Sequence, residues 1–403
     1  MKKLKINKIK KKIAILHDDF SICGGGEKLI SILAEELAKK GKEVDIYTFS
    51  TGNKTKKIIS SSIKIIPLLS KKPEKEYPFL QKYMFAKLNL KKRYDFYIFS
   101  GHASLTAVEN CKPNIWYCHN IEKAGIPKIQ NYEKKNEIEK IWALLYFLKN
   151  KITRKTIPEN LALSIDAVRL MPKDILYSLK IAKNAHKLNE RKAIKNIDKI
   201  ITNSKNIQTK LKKKYNRISF INYPPIKTSE YNYKKNKGYW LSINRIVPLK
   251  RIELQIKAFS KLPNEKLYII GDKENKIYYE KLEKIKPKNV VFLDVVKEKE
   301  LIKKLSEAKG LIFTAMDEDF GMAPVEAMAS GKPVIAPNEG GCKETIIQGK
   351  TGILIDNINE DKLAEAIKIL GKNPEKYKNA CLKQAKRFDT KIFIKNMLKH
   401  IEK

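Results

Sequence analysis

The chain has 403 residues, 84 of them Lys or Arg and 44 Asp or Glu, for a formal net charge of +40. At 42% hydrophobic residues it can bury the cores of two or three domains. Its five cysteines, Cys23, Cys111, Cys118, Cys342 and Cys381, lack CxxC spacing, which argues against a disulfide framework or a zinc site and fits a reducing compartment.

The basic N-terminus MKKLKINKIKKK is followed only by a short IAIL, not by the longer apolar region of a signal peptide. The longest uncharged apolar run, residues 141–148, is too short to span a bilayer. A cytoplasmic protein is expected, with any membrane contact peripheral. The charge is uneven. Residues 1–225 hold 48 basic and 20 acidic side chains, residues 226–403 hold 36 and 24. A basic excess favours polyanions. Lys, Ile and Asn are abundant throughout, so compositional bias stays open beside a functional reading.

In chain order, IAILH (13–17) reads as a strand, CGGGE (23–27) as a Gly-rich turn, and KLISILAEELAKK as a helix stopped by Gly41. VDIYTFS (44–50) completes a βαβ unit. DFYIFS (95–100), NIWYCH (114–119), KIITNS (199–204) and FINYPPI (220–226) are further strands. Residues 127–195 break the alternation and read as a basic helical insertion. Within them, 138–155 sets Ile141, Leu144, Leu145 and Leu148 at helical spacing, with Trp142, Tyr146 and Phe147 among flanking lysines. That composition suits a helix on an anionic membrane surface or one packed on its own domain.

A polar stretch at 226–237 reads as a linker. The alternation restarts with strands at 238–244, 266–272, 289–294, 310–315, 332–337 and 351–356. The expected class is α/β, with two doubly wound Rossmann-like domains (1–225 and 238–385) facing a cleft. A C-terminal helix at 386–403 is expected to pack back on the N-terminal domain. Ligands of such sheets bind beyond the carboxyl ends of the strands.

Several stretches there carry chemistry. EDFGMAPVE (318–326) opens a helix whose free amides suit an anion, with Pro324 near its start and Gly321 before it. Glu318 and Glu326 would repel a phosphate but accept hydrogen bonds from hydroxyls. A nucleotide sugar, with hydroxyls on both sides of a diphosphate, joins these demands; an acidic first turn complementing the helix dipole is the plain alternative. In NRIVPLKR (244–251), Arg245 and Lys250 could sit over a diphosphate or be solvated surface. Gly25 and Gly26 allow close backbone approach to a ligand. Their motif is not GxGxxG, so a dinucleotide cofactor is disfavoured. His119 and His102 sit at strand ends and Asp18 follows the first strand; each could face a ligand or be structural. The consecutive acids at 317–319 diverge, so no metal site is expected.

Together these stretches resemble glycosyltransferase family 4, of GT-B fold. The family's E-x7-E motif is matched by Glu318 and Glu326, its R-x4-K element by Arg245 and Lys250, and its glycine loop by GGGE. SGHAS and YCHN resemble a mannosyltransferase-like branch, which usually continues with Thr-Pro where this chain has NIEKAGIP. The resemblance implies retaining transfer of mannose or another hexose from a GDP- or UDP-sugar to a glycan or lipid-linked acceptor, without metal or cofactor. It implies that Glu326 holds the ribose, and that Glu318 with the amides of Phe320 and Gly321 holds the donor sugar, with Met322 and Val325 nearby. His119 and the Gly25–Gly26 loop would face the reacting centre. A sugar-nucleotide epimerase or hydrolase shares this architecture. A nucleic-acid-binding protein would want aromatic platforms among its cations, and the sequence offers no such module.

Overall fold

Ile13, Ala14, Ile15 and Leu16 form a strand with no polar face, and all four are fully buried. A strand buried on both sides belongs in the middle of a parallel sheet, and that is where the computed structural model places it. The structure describes residues 11–21, 24–52, 55, 59–69, 78–121, 190–273 and 275–402. The membrane-surface helix expected at 138–155 lies outside them, as does the 127–195 insertion except for its last residues, 190–195.

The first sheet contains β1 (Lys12–His17), β2 (Glu43–Thr48), β3 (Lys64–Pro67), β4 (Phe96–Ser100), β5 (Asn114–Cys118), β6 (Lys199–Thr202) and β7 (Phe220–Ile221). Their order is β3-β2-β1-β4-β5-β6-β7. Ile15 lies opposite Ile46 on one side and Ile98 on the other, both in parallel register. α1 (Gly25–Lys39) connects β1 to β2, and α2 (Pro78–Ala86) precedes β4. The chain winds one way from β1 through β2 and the other way through β4, which makes the carboxyl ends of β1 and β4 the topological switch point.

The second sheet contains β8 (Tyr239–Ile243), β9 (Lys266–Ile270), β10 (Val290–Leu293), β11 (Leu311–Ile312), β12 (Val334–Pro337) and β13 (Gly352–Ile355), in the order β10-β9-β8-β11-β12-β13. Its switch point falls between β8 and β11. After α3 (Lys205–Tyr215), the helices are α4 (Ile252–Ser260), α5 (Lys276–Ile285), α6 (Glu298–Glu307), α7 (Met322–Ala329), α8 (Cys342–Thr345), α9 (Glu360–Gly371), α10 (Lys378–Lys386) and α11 (Thr390–Ile401). α4 packs with α9 and α7 with α10. Trp240 is fully buried in the core, and its indole N–H donates to Glu265.

The chain divides into two compact units, Met1–Ile201 with Leu211–Ser219, and Thr202–Lys210 with Phe220–Lys403. The first crossing thus comes before the expected border at 225, and α11 falls within the second unit. The stretch read as a linker is fastened to that unit: the amides of Lys234 and Lys237 donate to the carbonyls of Ser306 and Glu307.

β5 is held at its start by Asn114, which is 1% exposed. Its amide group donates to the Cys111 carbonyl at 2.7 Å and accepts from the Asp198 N–H at 2.9 Å, while its own N–H donates to the Asp198 carboxylate. Asn114→Ala strands the buried Cys111 carbonyl and the part-buried Asp198 N–H. It should destabilise the first unit by about 3 kcal/mol in urea unfolding, with Asn114→Asp, which keeps the acceptor, intermediate.

Candidate functional site

Both switch points carry the polar residues singled out above. In the second unit β8 runs out at Ile243. Asn244 follows, buried, with its amide donating to Ser242 Oγ at 2.9 Å, and then Arg245, which is exposed. The chain turns through a short helical turn, Pro248–Lys250, and Arg251 takes a left-handed conformation (φ 49°) to enter α4. Thr314, just beyond β11, accepts from Gln255 and donates to the Lys250 carbonyl at 2.6 Å. The Arg251 guanidinium donates to the carbonyls of Thr314 and Ala315 and to Glu339. These bonds bind the turn after β8 to the loop after β11.

The pairing they set up is direct. Lys250 Nζ lies 2.6 Å from Glu318 Oε2, with the two side chains 16% and 24% exposed, and stands 5.6 Å above the Phe313 ring. Gly321 (φ 85°) supplies the left-handed residue from which α7 starts, a conformation that costs a residue with a Cβ about 1–2 kcal/mol. Phe320 is buried against Tyr223 and Phe388, so its side chain is core and only its backbone is left for a ligand. The same holds for Val325, which is fully buried; Met322 is half-buried. Glu326 lies in the second turn of α7, one residue past the expected first turn, and is 7% exposed. Its unforeseen neighbour is Tyr231. Burial first, then the Glu326 charge and a hydrogen bond to it, push that phenol well above its usual range.

In the first unit the switch point gathers side chains from β1, β4, β5 and the glycine loop. His17 Nδ1 is 3.0 Å from Ser100 Oγ, and Ser100 Oγ is 2.6 Å from His119 Nε2. His17 Nε2 lies 3.3 Å from Glu27 Oε1, and Glu27 Oε2 accepts from the Gly24 N–H at 2.7 Å. Gly25 begins α1. A Cβ on Gly26 would sit 3.9 Å from His17 Cε1 and 4.0 Å from His119 Cε1, so the loop lies against both rings. Burial and the neighbouring His17 lower His119 to about 3. Burial would raise Glu27, but the hydrogen bond and charge of His17 hold it below the usual carboxylate range.

Asp18 has a structural task here. Its carboxylate accepts three consecutive amides, from His102, Ala103 and Ser104, at 2.8 to 3.0 Å. Gly101 (φ 120°) makes room for it, since a Cβ there would fall 2.2 Å from the Asp18 carboxyl carbon. His102 lies beside Glu190 (3.5 Å) and within reach of the Asn120 carbonyl (3.1 Å). Burial would lower His102, but Glu190 and Asp18 outweigh it and the net shift is upward. His17, Ser100 and Glu27 were not among the expected site residues. Their one signal was position: a polar residue ending an otherwise apolar strand, and an acid three residues past the first loop glycine.

Among the described residues, no group of three or more His, Cys, Asp or Glu could hold a metal ion, and no helix is long and apolar enough to cross a membrane. Residues 226–388 match the family model for glycosyl transferases group 1. This region is a group 1 glycosyltransferase domain. It contains both glutamates, both cations and α7.

The chain is 28% identical over 214 residues to the alpha-1,3/1,6-mannosyltransferase ALG2 of Dictyostelium discoideum (41% of this chain, 50% of that protein). It is 31% identical over 188 residues to an uncharacterized glycosyltransferase of Methanocaldococcus jannaschii (45% and 52%). The chain thus spans about half the length of these curated relatives. Over both domains the fold is that of GT-B glycosyltransferase structures. Anabaena HepE, solved with UDP and glucose, is similar with a TM-score of 0.70 at 16% identity, covering 97% of this chain and 99% of that one. The sucrose-phosphate synthase of Thermosynechococcus elongatus is similar at 0.72 and 17%, covering 98% of each chain. At these identities the likeness of the glycosyltransferase domain and its partner unit to solved structures establishes the fold alone.

Two of the histidines at the first switch point, His119 and His102, should titrate in opposite senses. In an imidazole NMR titration His119 should stay neutral from pH 8 to pH 5, and His102 should gain its proton above the usual 6.5. A folded value below the unfolded one means that the contribution of His119 to stability is complete above 6.5 and is lost as pH falls toward about 3.

Proposed function

We propose that the protein transfers a hexose from a nucleoside-diphosphate sugar to a glycan or lipid-linked acceptor, with retention at the anomeric carbon and without a metal. The observation that carries this is the Lys250–Glu318 pair at the second switch point, four residues ahead of α7 and inside the region that matches the group 1 model. The pair sets a cation and a hydroxyl-binding carboxylate side by side at the place where open parallel sheets take ligands. Lys250 and Arg245 neutralise the diphosphate, and the free amides at the start of α7 add to that countercharge. Glu318 accepts from hydroxyls of the donor sugar, with the amides of Phe320 and Gly321 beside it. Glu326 accepts from the ribose hydroxyls, and Tyr231 holds its carboxylate in place. In the first unit, His119 and the Gly25–Gly26 loop are the candidate groups at that unit's own switch point.

The mannosyltransferase names among the relatives and the UDP bound by HepE leave mannose and glucose, and GDP and UDP, as the donors to try first. A lipid-linked acceptor accords with the basic excess of residues 1–225. A protein in this role works at the cytoplasmic face of a membrane, where each cation near an anionic surface contributes about 1 kcal/mol.

The test is product formation from a panel of UDP-, GDP- and ADP-hexoses with glycan and lipid-linked acceptors. Lys250→Ala should lower turnover by about two orders of magnitude, and EDTA should change little. Full activity in the variant, or abolition by EDTA, would overturn the donor-site reading. Sugar released or isomerised without any acceptor would point to a hydrolase or epimerase.

Glu326→Ala should weaken binding of the nucleoside diphosphate in calorimetry, and a 2′,3′-dideoxy analogue should discriminate little between wild type and variant. Equal binding of both nucleotides by both proteins would leave Glu326 as a structural residue of α7.

A further inference from the structure

We propose that Asn206 and Lys210 of α3 are positioning residues for Glu318: they fix the loop that presents its carboxylate to Lys250. Both lie in the part of α3 that belongs to the second unit, Thr202–Lys210, so every contact below is internal to that unit. The loop geometry stands on its own; the effect on donor binding rests on the function proposed above.

The start of α3 is fixed first. Ser204 precedes the helix, and its Oγ accepts from the Ile207 N–H at 3.1 Å, as a capping hydroxyl does. The Glu344 carboxylate accepts two more helix-start amides, Lys205 at 2.7 Å and Asn206 at 2.8 Å, and the Tyr223 hydroxyl at 3.1 Å. Anchored in this way, the helix turns three side chains toward residues 317–319. The Ser204 hydroxyl lies 2.6 Å from the Asp319 carbonyl and 3.1 Å from Asn203 Oδ1, the shorter contact being to the loop. Asn206 and Lys210 are four residues apart and share a helix face. Asn206 Nδ2 donates to the Glu318 carbonyl at 3.2 Å and to Asp317 Oδ1 at 3.3 Å. Lys210 Nζ lies 2.7 Å from both oxygens of the Asp317 carboxylate.

The loop requires such support. Asp317 takes a left-handed conformation (φ 44°), which a residue with a Cβ keeps only where its surroundings compel it. The Glu318 carbonyl also accepts the Gly341 N–H at 2.7 Å, and a Cβ on Gly340 would fall 2.4 Å from that same carbonyl oxygen. Asn206 and the glycine pair therefore meet at the backbone of the residue whose side chain lies 2.6 Å from Lys250. Pinning that backbone restricts where its carboxylate can stand, which is how a fold preorganises a binding group. The sequence gave no sign of this: Asn206 stands 112 residues from Glu318, in a stretch read with the first domain.

Lys210→Met keeps the apolar stem and removes the charge, and Asn206→Ala keeps a good helix former. Amide hydrogen exchange followed by NMR on the full chain reads the loop without any substrate. In each variant the Gly341 amide should exchange about tenfold faster, as expected for easier local opening. The Leu241 amide, bonded to the Gly310 carbonyl, should stay within about twofold of wild type. Lys210→Arg, which keeps a cation for Asp317, should return Gly341 to slow exchange. No rise at Gly341 overturns the positioning role. An equal rise at Leu241 overturns it too, since it would mean general destabilisation.

Calorimetry with UDP- and GDP-hexoses supplies the second arm. Lys210→Met should weaken binding of the nucleotide sugar about tenfold, but by no more than about twofold when Glu318 is already Ala, because a residue that acts through Glu318 then has nothing to position. Equal losses in both backgrounds overturn the role. Absence of binding of every nucleotide sugar by the wild type counts against the proposed function instead, and amide exchange then decides the positioning by itself.

Discussion

A parallel sheet that winds outward from a middle strand must part at one place. At that place the loops after two neighbouring strands turn away from each other, and backbone groups beyond the strand ends lose their ladder partners. Both sheets of this protein part in this way, between β1 and β4 and between β8 and β11. The polar chemistry follows from that constraint. The side chains and amides left at the parting must be satisfied by each other or by a ligand.

The two partings are satisfied differently. In the second unit, Thr314 and Arg251 tie the separated loops together, and Lys250 and Glu318 pair across them. An ion pair that is partly buried contributes little net stability, because desolvation offsets the attraction. Its effect here is geometric: it holds a cation and a carboxylate at a fixed separation at the switch point. In the first unit a carboxylate, Asp18, takes up three unpaired amides after β4, which frees the neighbouring strand ends to carry the Glu27–His17–Ser100–His119 chain.

Much of this was legible in the sequence, for reasons that particular residues make clear. Strands such as IAILH and YWLSI are mostly apolar because both faces are covered, and short apolar runs between helical stretches are hard to misread. Glu318, Glu326, Arg245 and Lys250 announced themselves by spacing. β3 did not: KIIP is four residues long and only half-buried, so nothing set it apart from its surroundings. Asp18 was visible as a polar residue at a strand end, but whether such an acid meets a ligand or its own backbone depends on where the chain returns some 80 residues later. His17 and Ser100 showed only as polar strand ends for a related reason: they and His119 meet at the ends of three strands adjacent in space, and Ser100 lies 83 residues from His17 in sequence. Tyr231 sat in a stretch whose polarity read as linker, and only the fold shows that stretch fastened to the domain that holds Glu326.

The same view answers why so basic a chain keeps acids around the entrance to α7. Three carboxylates there have a specific cation. Glu318 has Lys250, Asp317 has Lys210 at 2.7 Å, and Glu339 has Arg251. Glu344 accepts the first two amides of α3, where a negative charge also complements the helix dipole. With 84 cations in the chain, a lone lysine says little about where a phosphate would bind, because lysines are everywhere. A lysine already oriented by a carboxylate is different. Its position is set by the fold, and the carboxylate that sets it stands at the same switch point. Cations in excess supply general attraction for anions, whereas the few acids at the switch point decide which cation stands where.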